Sequence, residues 1–108
     1  MALIDSNLTV KWHINSGDYG MDFKVNNEFL SFFYKPLQFW IIANEDMIEI
    51  DTLSCVNGIR TDYHDIRLLD NGGYILQGYD SLWVDMSEIV NGGNPFALIR
   101  DILVIQEF

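Results

Sequence analysis

The sequence has one cysteine, two prolines and few basic residues, and it lacks a long apolar run. A single Cys55 in 108 residues excludes an intrachain disulfide and is typical of a reducing compartment. No apolar run approaches the roughly 18 residues of a membrane-spanning helix. The first ten residues, MALIDSNLTV, lack the basic and apolar regions of a secretory signal. We therefore expect a cytoplasmic protein.

The charge is strongly one-sided. Six basic residues face sixteen acidic ones, for a net charge of −10 at pH 7. A phosphate-binding surface needs clustered cations, whereas the lysines and arginines here are scattered along the chain. The composition therefore argues against direct binding to nucleic acid or to an anionic membrane. It favours attraction to a basic protein surface.

The length predicts one domain, residues 1–108. Polar and apolar residues alternate over 8–14 and 21–25, which predicts two strands joined as a hairpin by the turn-forming NSGDYG. The aromatic segment 28–34 fits either a helix or a strand, and its composition favours the strand. The run FWIIA predicts a central strand, and 47–56 its antiparallel neighbour. Asn57–Gly58 and DNGG at 70–73 predict two further turns, the first of them a hairpin turn.

The C-terminal region changes character. Asn94 can cap a helix, Pro95 suits its first position, and the apolar spacing that follows fits a helix packed on a sheet. The alternative is one more strand, ILVIQEF. We expect an α+β fold: an antiparallel meander of five to seven strands with a C-terminal helix on one face. The alternative architecture is an all-β sandwich or barrel.

The segment ANEDMIEIDT concentrates four acids, Glu45, Asp46, Glu49 and Asp51. Apolar residues interrupt the oxygen-ligand spacing of a calcium loop, so we expect no metal there. Strand alternation would send Ile48 and Ile50 inward and the acids outward. The acids then form either a solvated strand face or part of a surface for a basic partner.

The segment TDYHDIR is the best catalytic candidate, because Asp62 and Asp65 flank His64. On a strand, Asp62 and His64 share a face and Asp65 points away, which leaves a catalytic or metal site incomplete. No phosphate-binding glycine loop, CxxC or HExxH motif is present. We expect no cofactor and no catalysis. Asp62, Tyr63 and Asp65 remain candidates for partner binding.

The segment YDSLWVD places Asp80 and Asp85 around Trp83, which is either a core residue or an interface anchor. Aromatic anchors flanked by charge suit protein interfaces. No family motif is present. In size and acidity the chain resembles the immunity proteins that neutralise bacterial nuclease toxins, and phage-encoded inhibitors of nucleases or CRISPR enzymes. We expect an inhibitor of a basic partner, foremost a nuclease. The alternatives are an assembly subunit of a phage or secretion apparatus, and a small enzyme using His64 with Asp62 or Asp65.

Overall fold

The computed structural model describes residues 1–15, 17 and 20–108. These residues form nine strands and one 3-10 turn, Met86–Glu88, and no α-helix. The strands are β1 (Ala2–Ile4), β2 (Val10–His13), β3 (Gly20–Asn26), β4 (Phe29–Tyr34), β5 (Phe39–Ala43), β6 (Glu49–Leu53), β7 (Arg60–Leu68), β8 (Tyr74–Val84) and β9 (Ala97–Glu107).

The strands make three antiparallel sheets, and each sheet follows chain order. β1 and β2 form an N-terminal hairpin, β3 to β6 form a four-stranded sheet, and β7 to β9 form a three-stranded sheet. Neighbouring strands in the sequence pair with each other within every sheet. The fold therefore needs no crossover connection, and short turns are sufficient to build it.

The four-stranded sheet is buried on both faces at its centre. On one face, Phe33, Trp40 and Ile42 form the core together with Ile66 and Leu76 of the three-stranded sheet. The opposite face is covered by the N-terminal hairpin, where the Trp12 ring stacks on Phe23 at 5.7 Å and both approach Phe32. Double coverage explains why FWIIA is a near-continuous apolar run.

Buried polar groups join the two larger sheets. The Asn26 side chain donates to the Ile66 carbonyl at 2.8 Å and accepts from the Leu68 amide at 2.9 Å. The Trp40 indole donates to the Asp62 carbonyl at 3.1 Å. Each bond satisfies a backbone group on β7; Asp62 lies where the ladder to β8 shifts register, between Thr61 and Ile66, and the other two groups lie at and just after the end of that shift. Buried backbone groups rarely stay unpaired, so these side chains stabilise the irregular stretch of β7.

The predicted C-terminal helix is wrong, and with it the α+β class; the all-β alternative fits. Residues Ala97–Glu107 instead pair with β8 along its full length, from Val84↔Ala97 to Ile75↔Glu107. The Asn94 side chain does accept a hydrogen bond from the Phe96 amide at 2.9 Å, as a helix cap would. The chain after it is rich in Ile, Leu and Val, and β8 offers it a complete ladder partner.

Of the other predicted strands and turns, some are confirmed and some are wrong. The strand over 28–34 and the turn at 70–73 are confirmed. Asn57 and Gly58 have positive φ, as a type I′ turn requires, but they connect two different sheets rather than a hairpin. The predicted hairpin of 8–14 with 21–25 is wrong, because β2 pairs with β1 and β3 with β4. Residues 16, 18 and 19 of its proposed NSGDYG turn lie outside the described residues.

The molecule is elongated, with extents of 64 × 32 × 22 Å and a radius of gyration of 18.4 Å. A compact domain of this size has a radius of gyration of about 13 Å. The two sheets pack over only part of the β8–β9 ladder, and the rest of that ladder projects. We call residues 80–102 the arm, and the remaining packed sheets the body.

Candidate interaction surface

The arm carries large apolar side chains that nothing in the described chain covers. Trp83 is 67% exposed and Phe96 77% exposed, and Leu82 and Ile99 are exposed as well. Leu82 pairs with Ile99 across the ladder, while Trp83 pairs with Leu98. Directly opposed residues share a face and successive residues alternate, so both faces of the arm are apolar.

The tip of the arm is held by local hydrogen bonds. Asp85 caps the 3-10 turn by accepting from the Ser87 amide at 2.9 Å. The Met86 amide donates to the Asn94 carbonyl at 3.0 Å, which closes the loop across its base. Gly93 runs against the backbone of Met86, where an added Cβ would lie 2.2 Å from the Met86 oxygen. The tip therefore presents Ile89, Val90 and Phe96 on a defined loop.

Carboxylates surround these apolar groups. The arm contains Asp80, Asp85, Glu88 and Asp101 against one cation, Arg100, which gives it a net charge of −3. Asp80, Asp85, Glu88 and Asp101 are all exposed. The structure thus brings Asp80, Trp83 and Asp85 together on one exposed element. Trp83 lies outside the core, so the core alternative is wrong, and its role as an interface anchor stays a prediction.

The acidic segment 45–51 lies elsewhere. Glu45 and Asp46 occupy the β5–β6 turn, where the Asn44 side chain accepts from the amides of Asp46 and Ile48. Glu49 and Asp51 are exposed on β6, an edge strand. The expected inward placement of Ile48 and Ile50 is wrong: both are exposed, and the register of β6 against β5 shifts beside Ile50, between Ile42↔Asp51 and Ala43↔Glu49.

A groove lined by Ile50 and Asp51 also contains Leu68, Leu69 and Tyr74. These last residues lie at the β7–β8 turn, the end of β8 opposite the arm. The ten-residue rise from Tyr74 to Val84 corresponds to roughly 34 Å of strand. The acids of 45–51 and those of the arm therefore form two separate groups.

The TDYHDIR residues are divided between the interior and the surface. Asp62 is buried, with 2% of its surface exposed, and its carboxylate accepts from the His64 amide and lies 2.8 Å from His64 Nδ1. Asp65 points elsewhere and pairs with Lys24 Nζ at 2.9 Å, as the strand alternation predicts. Tyr63 is exposed and its ring stacks on the His64 ring at 4.1 Å. Of the three candidates, Tyr63 and Asp65 are exposed and Asp62 is buried.

Lys24 connects this part of β7 to the four-stranded sheet. Burial of its ammonium group acts to lower its pKa, but hydrogen bonds to Asp22 and Asp65 outweigh that effect and raise the pKa of Lys24 above its ordinary value. Its ammonium also lies 5.1 Å from the centre of the Trp40 ring. These contacts make Lys24 and Asp65 an inter-sheet link.

His64 also lines an open cleft of about 490 Å³. Its other lining residues are Phe33, Lys35, Gln38, Arg60, Thr61, Asp62, Tyr63, Tyr79 and Asp101. With its proton on Nδ1, the imidazole donates to Asp62 and keeps Nε2 as an acceptor, which is the arrangement of a general base. Thr61 Oγ1, next to Asp62 on β7, accepts from the Cys55 amide at 2.9 Å. Among the described residues no three His, Cys, Asp or Glu side chains are grouped to hold a metal.

The comparisons with known proteins add no relationship. No protein-family model, no curated protein and no solved structure matches this chain. No helix in the described part of the chain is long and apolar enough to cross a membrane. Any inference about function therefore depends on the geometry of the molecule.

The sequence alone did not identify most of the arm. The helix expected after Pro95 would turn apolar residues such as Phe96 and Ile99 toward the sheet, and no pattern in the sequence distinguishes Leu82. A usable signal was present: the turn-forming NGGNP lies between two stretches rich in β-forming residues, YILQGYDSLWV and ALIRDILVI. Two such stretches of similar length on either side of a loop predict a long hairpin. They do not predict that its outer half lacks a covering layer.

Proposed function

We propose that the protein is a non-enzymatic binding protein whose arm docks onto a basic protein partner. The observation that carries the proposal is the projecting β8–β9 hairpin, with Leu82, Trp83, Phe96 and Ile99 exposed at once. Contiguous exposed apolar surface on a protein is typical of interaction sites. Trp is the residue type that most often dominates interface affinity.

The charge of the arm supports the class of partner. The arm carries four carboxylates, of which Asp101 pairs with Arg60 of the body at 3.0 Å, and one guanidinium, and the whole chain carries −10. A partner with a basic rim around an apolar groove would gain both from burial of the arm and from faster encounter. The exposed acids Glu45, Asp46, Glu49 and Asp51 would add to the attraction at long range.

A nuclease is the partner that we infer first. Its substrate cleft must attract phosphates, so it presents the basic surface that an acidic arm fits. Inhibition then results from occupation of that cleft. Such an inhibitor would act in the cytoplasm, where its unpaired Cys55 stays reduced.

The experiment compares three forms of the protein as affinity baits in an extract of the native host. They are the wild type, the arm variant Trp83→Ala with Phe96→Ala, and Val25→Ser. Val25 is a matched control, because it is exposed on β3 and lies outside the arm. We expect a basic protein that the wild type and Val25→Ser capture and the arm variant does not.

The captured protein is then purified and its association rate measured against salt concentration. We expect the rate to fall as salt rises, since the Debye length shrinks from about 10 Å at 0.1 M to about 3 Å at 1 M. Reversal of Asp80 and Asp85 to lysine should flatten that dependence. Equal binding by the arm variant, or an association rate that does not respond to salt, would contradict the proposal.

A second candidate, a subunit of a larger assembly, is favoured by a different observation. The molecule is 64 Å long, and strands β6 and β9 are unpaired edges. Exposed edge strands are templates for pairing with other chains. Formation of ordered oligomers by the purified protein alone, with no basic partner captured, would favour this candidate over the first.

A further inference from the structure

The chain contains three Asn–Gly steps, and each lies in a turn. They are Asn57–Gly58 between the two larger sheets, Asn71–Gly72 between β7 and β8, and Asn91–Gly92 at the tip of the arm. All six residues are exposed. Asparagine is a chemically labile residue type, and a following glycine has no Cβ to shield its backbone nitrogen. What separates the three steps is how each turn holds the two groups that can react.

The reaction open to such a step requires only water. The glycine nitrogen attacks the side-chain Cγ of the asparagine, its proton passes to solvent, and the side-chain nitrogen leaves as ammonia. The new N–C bond closes a five-membered succinimide ring. Water then adds to either ring carbonyl and opens the ring to aspartate or isoaspartate, so a neutral side chain becomes a carboxylate. A hydrogen bond that holds either reacting group has to break before the ring can close.

At Asn71 both reacting groups are held. The Gly72 amide donates to the Leu69 carbonyl at 3.0 Å. The Asn71 side-chain oxygen accepts from the Gly73 amide at 2.9 Å. Ring closure at this step therefore requires the loss of two hydrogen bonds that stabilise the β7–β8 turn.

Asn57 is restrained through its neighbours. Its own φ is 60°, in the left-handed region of the turn. The preceding Val56 is bonded to the Gln106 side chain on β9, through its amide at 2.9 Å and its carbonyl at 3.3 Å. The Ile59 amide donates to the same carbonyl. These bonds resist the backbone rotation that would bring the Gly58 nitrogen to the Asn57 side chain.

At Asn91 neither reacting group is held. The Gly93 amide donates to the Val90 carbonyl at 2.9 Å, which closes a four-residue turn around the step. Gly92 has a φ of 80°, the value of the third residue in a type II turn. Among the described residues, neither the Asn91 side chain nor the Gly92 amide has a hydrogen-bond partner. The surrounding bonds fix the residues on either side and leave this peptide free to rotate.

We propose that Asn91–Gly92 is a self-modification site, where Asn91 converts to aspartate or isoaspartate as the protein ages. The turn supplies both reacting groups and solvent supplies the water. Conversion adds one carboxylate to an arm whose net charge is −3. Isoaspartate also adds one carbon to the backbone between Val90 and Phe96, the exposed apolar residues of the tip. The inference does not rest on the proposed function, because the reaction requires no partner.

The test follows purified full-length protein incubated at pH 8. Samples taken over time are digested after aromatic residues, which separates the three steps into different peptides. Mass spectrometry of each peptide measures the replacement of the side-chain NH2 by OH. We expect Asn91 to convert about tenfold faster than Asn71 or more, since two hydrogen bonds of ordinary strength have to break at Asn71. Asn57 should also convert more slowly than Asn91.

The same incubation in guanidinium chloride shows whether the fold causes the difference. The three steps have the same two residues, so without their turns they should convert at similar rates. Asn91→Gln is the matched block, because its longer side chain would have to close a larger ring; it should leave the rates at Asn57 and Asn71 unchanged. Equal rates at Asn91 and Asn71 in the native protein, or an Asn91 that stays intact there, would overturn the proposal. So would the same ranking in guanidinium chloride as in the native protein.

Discussion

The body and the arm of this protein are built from the same strands but are stabilised differently. Both contain part of the antiparallel ladder of β8 with β9, which runs from Ile75↔Glu107 to Val84↔Ala97 and shifts register between Asp80 and Leu82. In the body a second sheet covers that ladder, and Leu76 is fully buried. In the arm no described residue forms a second layer, and Leu82 and Trp83 are exposed.

The comparison separates two contributions that usually occur together. Ladder hydrogen bonds fix which residues oppose each other, and the pairing of β8 with β9 spans both regions, with a register shift in the arm between Asp80 and Leu82. Burial of apolar area supplies most of the net stability, and only the body has it. A two-stranded hairpin alone is marginally stable in water. The arm therefore depends on the body for its order and leaves its apolar side chains free for another molecule.

The largest effect should come from a core tryptophan. Trp40 is fully buried, contacts Phe33 edge-on at 5.5 Å and donates to the Asp62 carbonyl. We expect Trp40→Ala to lower the free energy of unfolding by about 3–5 kcal/mol, through loss of packing and the cavity left behind. Urea denaturation monitored by circular dichroism measures the change. If Trp40→Ala lowered the free energy of unfolding by less than the same substitution at an exposed tryptophan such as Trp83, the two sheets would not pack as described.

A smaller loss of stability is expected from a substitution at Gly78, near the point where β8 passes from the body into the arm. An added Cβ at Gly78 would lie 2.6 Å from Ile59 Cγ2 and 2.8 Å from Cys55 Sγ. We expect Gly78→Ala to destabilise the protein by about 1–3 kcal/mol, the usual cost of overpacking. In a Cys55→Ala background the same substitution should cost less, which denaturant titration of the four forms would show. Equal costs in both backgrounds would contradict the close approach.

One substitution in the body should increase stability. Ser31 is fully buried on β4, and its hydroxyl has no hydrogen-bond partner among the described residues. An unpaired buried hydroxyl is costly, so Ser31→Ala should raise the free energy of unfolding by about 1 kcal/mol. Thermal unfolding of the wild type and of Ser31→Ala under the same conditions measures this difference. A decrease on substitution would reveal a partner for the hydroxyl.

The thiol of Cys55 should give the body a pH dependence. Burial, with a smaller contribution from the charge of Asp62, outweighs the hydrogen bond with Thr61 and raises the pKa of Cys55. The unfolded chain ionises from about pH 8.5, while the folded thiol stays protonated. The contribution of the thiol to the free energy of unfolding is therefore fully present below that pH and is lost as the pH rises above it. Urea titrations from pH 7 to pH 10 should show a steeper decline for the wild type than for Cys55→Ala; parallel curves would refute the shift.

The smallest effect on stability should come from the arm. Trp83 is two-thirds exposed, and its main neighbour in the ladder is Leu98. We expect Trp83→Ala to change the free energy of unfolding by roughly 0.5 kcal/mol, the scale of a cross-strand pair. Urea denaturation of Trp83→Ala and Trp40→Ala under the same conditions compares the arm with the body directly, since both variants replace a tryptophan with alanine. A cost of several kcal/mol at Trp83 would place it in a core that the described fold lacks.

Of the candidate surface, the sequence identified the part that depends on neighbours along the chain. Asp80, Trp83 and Asp85 are close in sequence, so any strand keeps them close in space. The placement of Asp62 was not predictable in this way. Its carboxylate is buried because β7 shifts register against β8 between Thr61 and Ile66. The alternation of polar and apolar residues along one strand does not predict such a shift.

What the sequence by itself determined is local: the turns at 57–58 and 70–73, the strand over 28–34 and the surplus of negative charge. Turn residues act through their own φ angles, and charge is a sum over composition, so neither needs a partner strand. Tertiary structure alone decided which strands pair, that Ala97–Glu107 extends β8 rather than forming a helix, and that Ile48 and Ile50 stay exposed. An apolar-rich segment fits periods of both 2.0 and 3.6 residues, and the strand or layer that it meets across the fold selects between them.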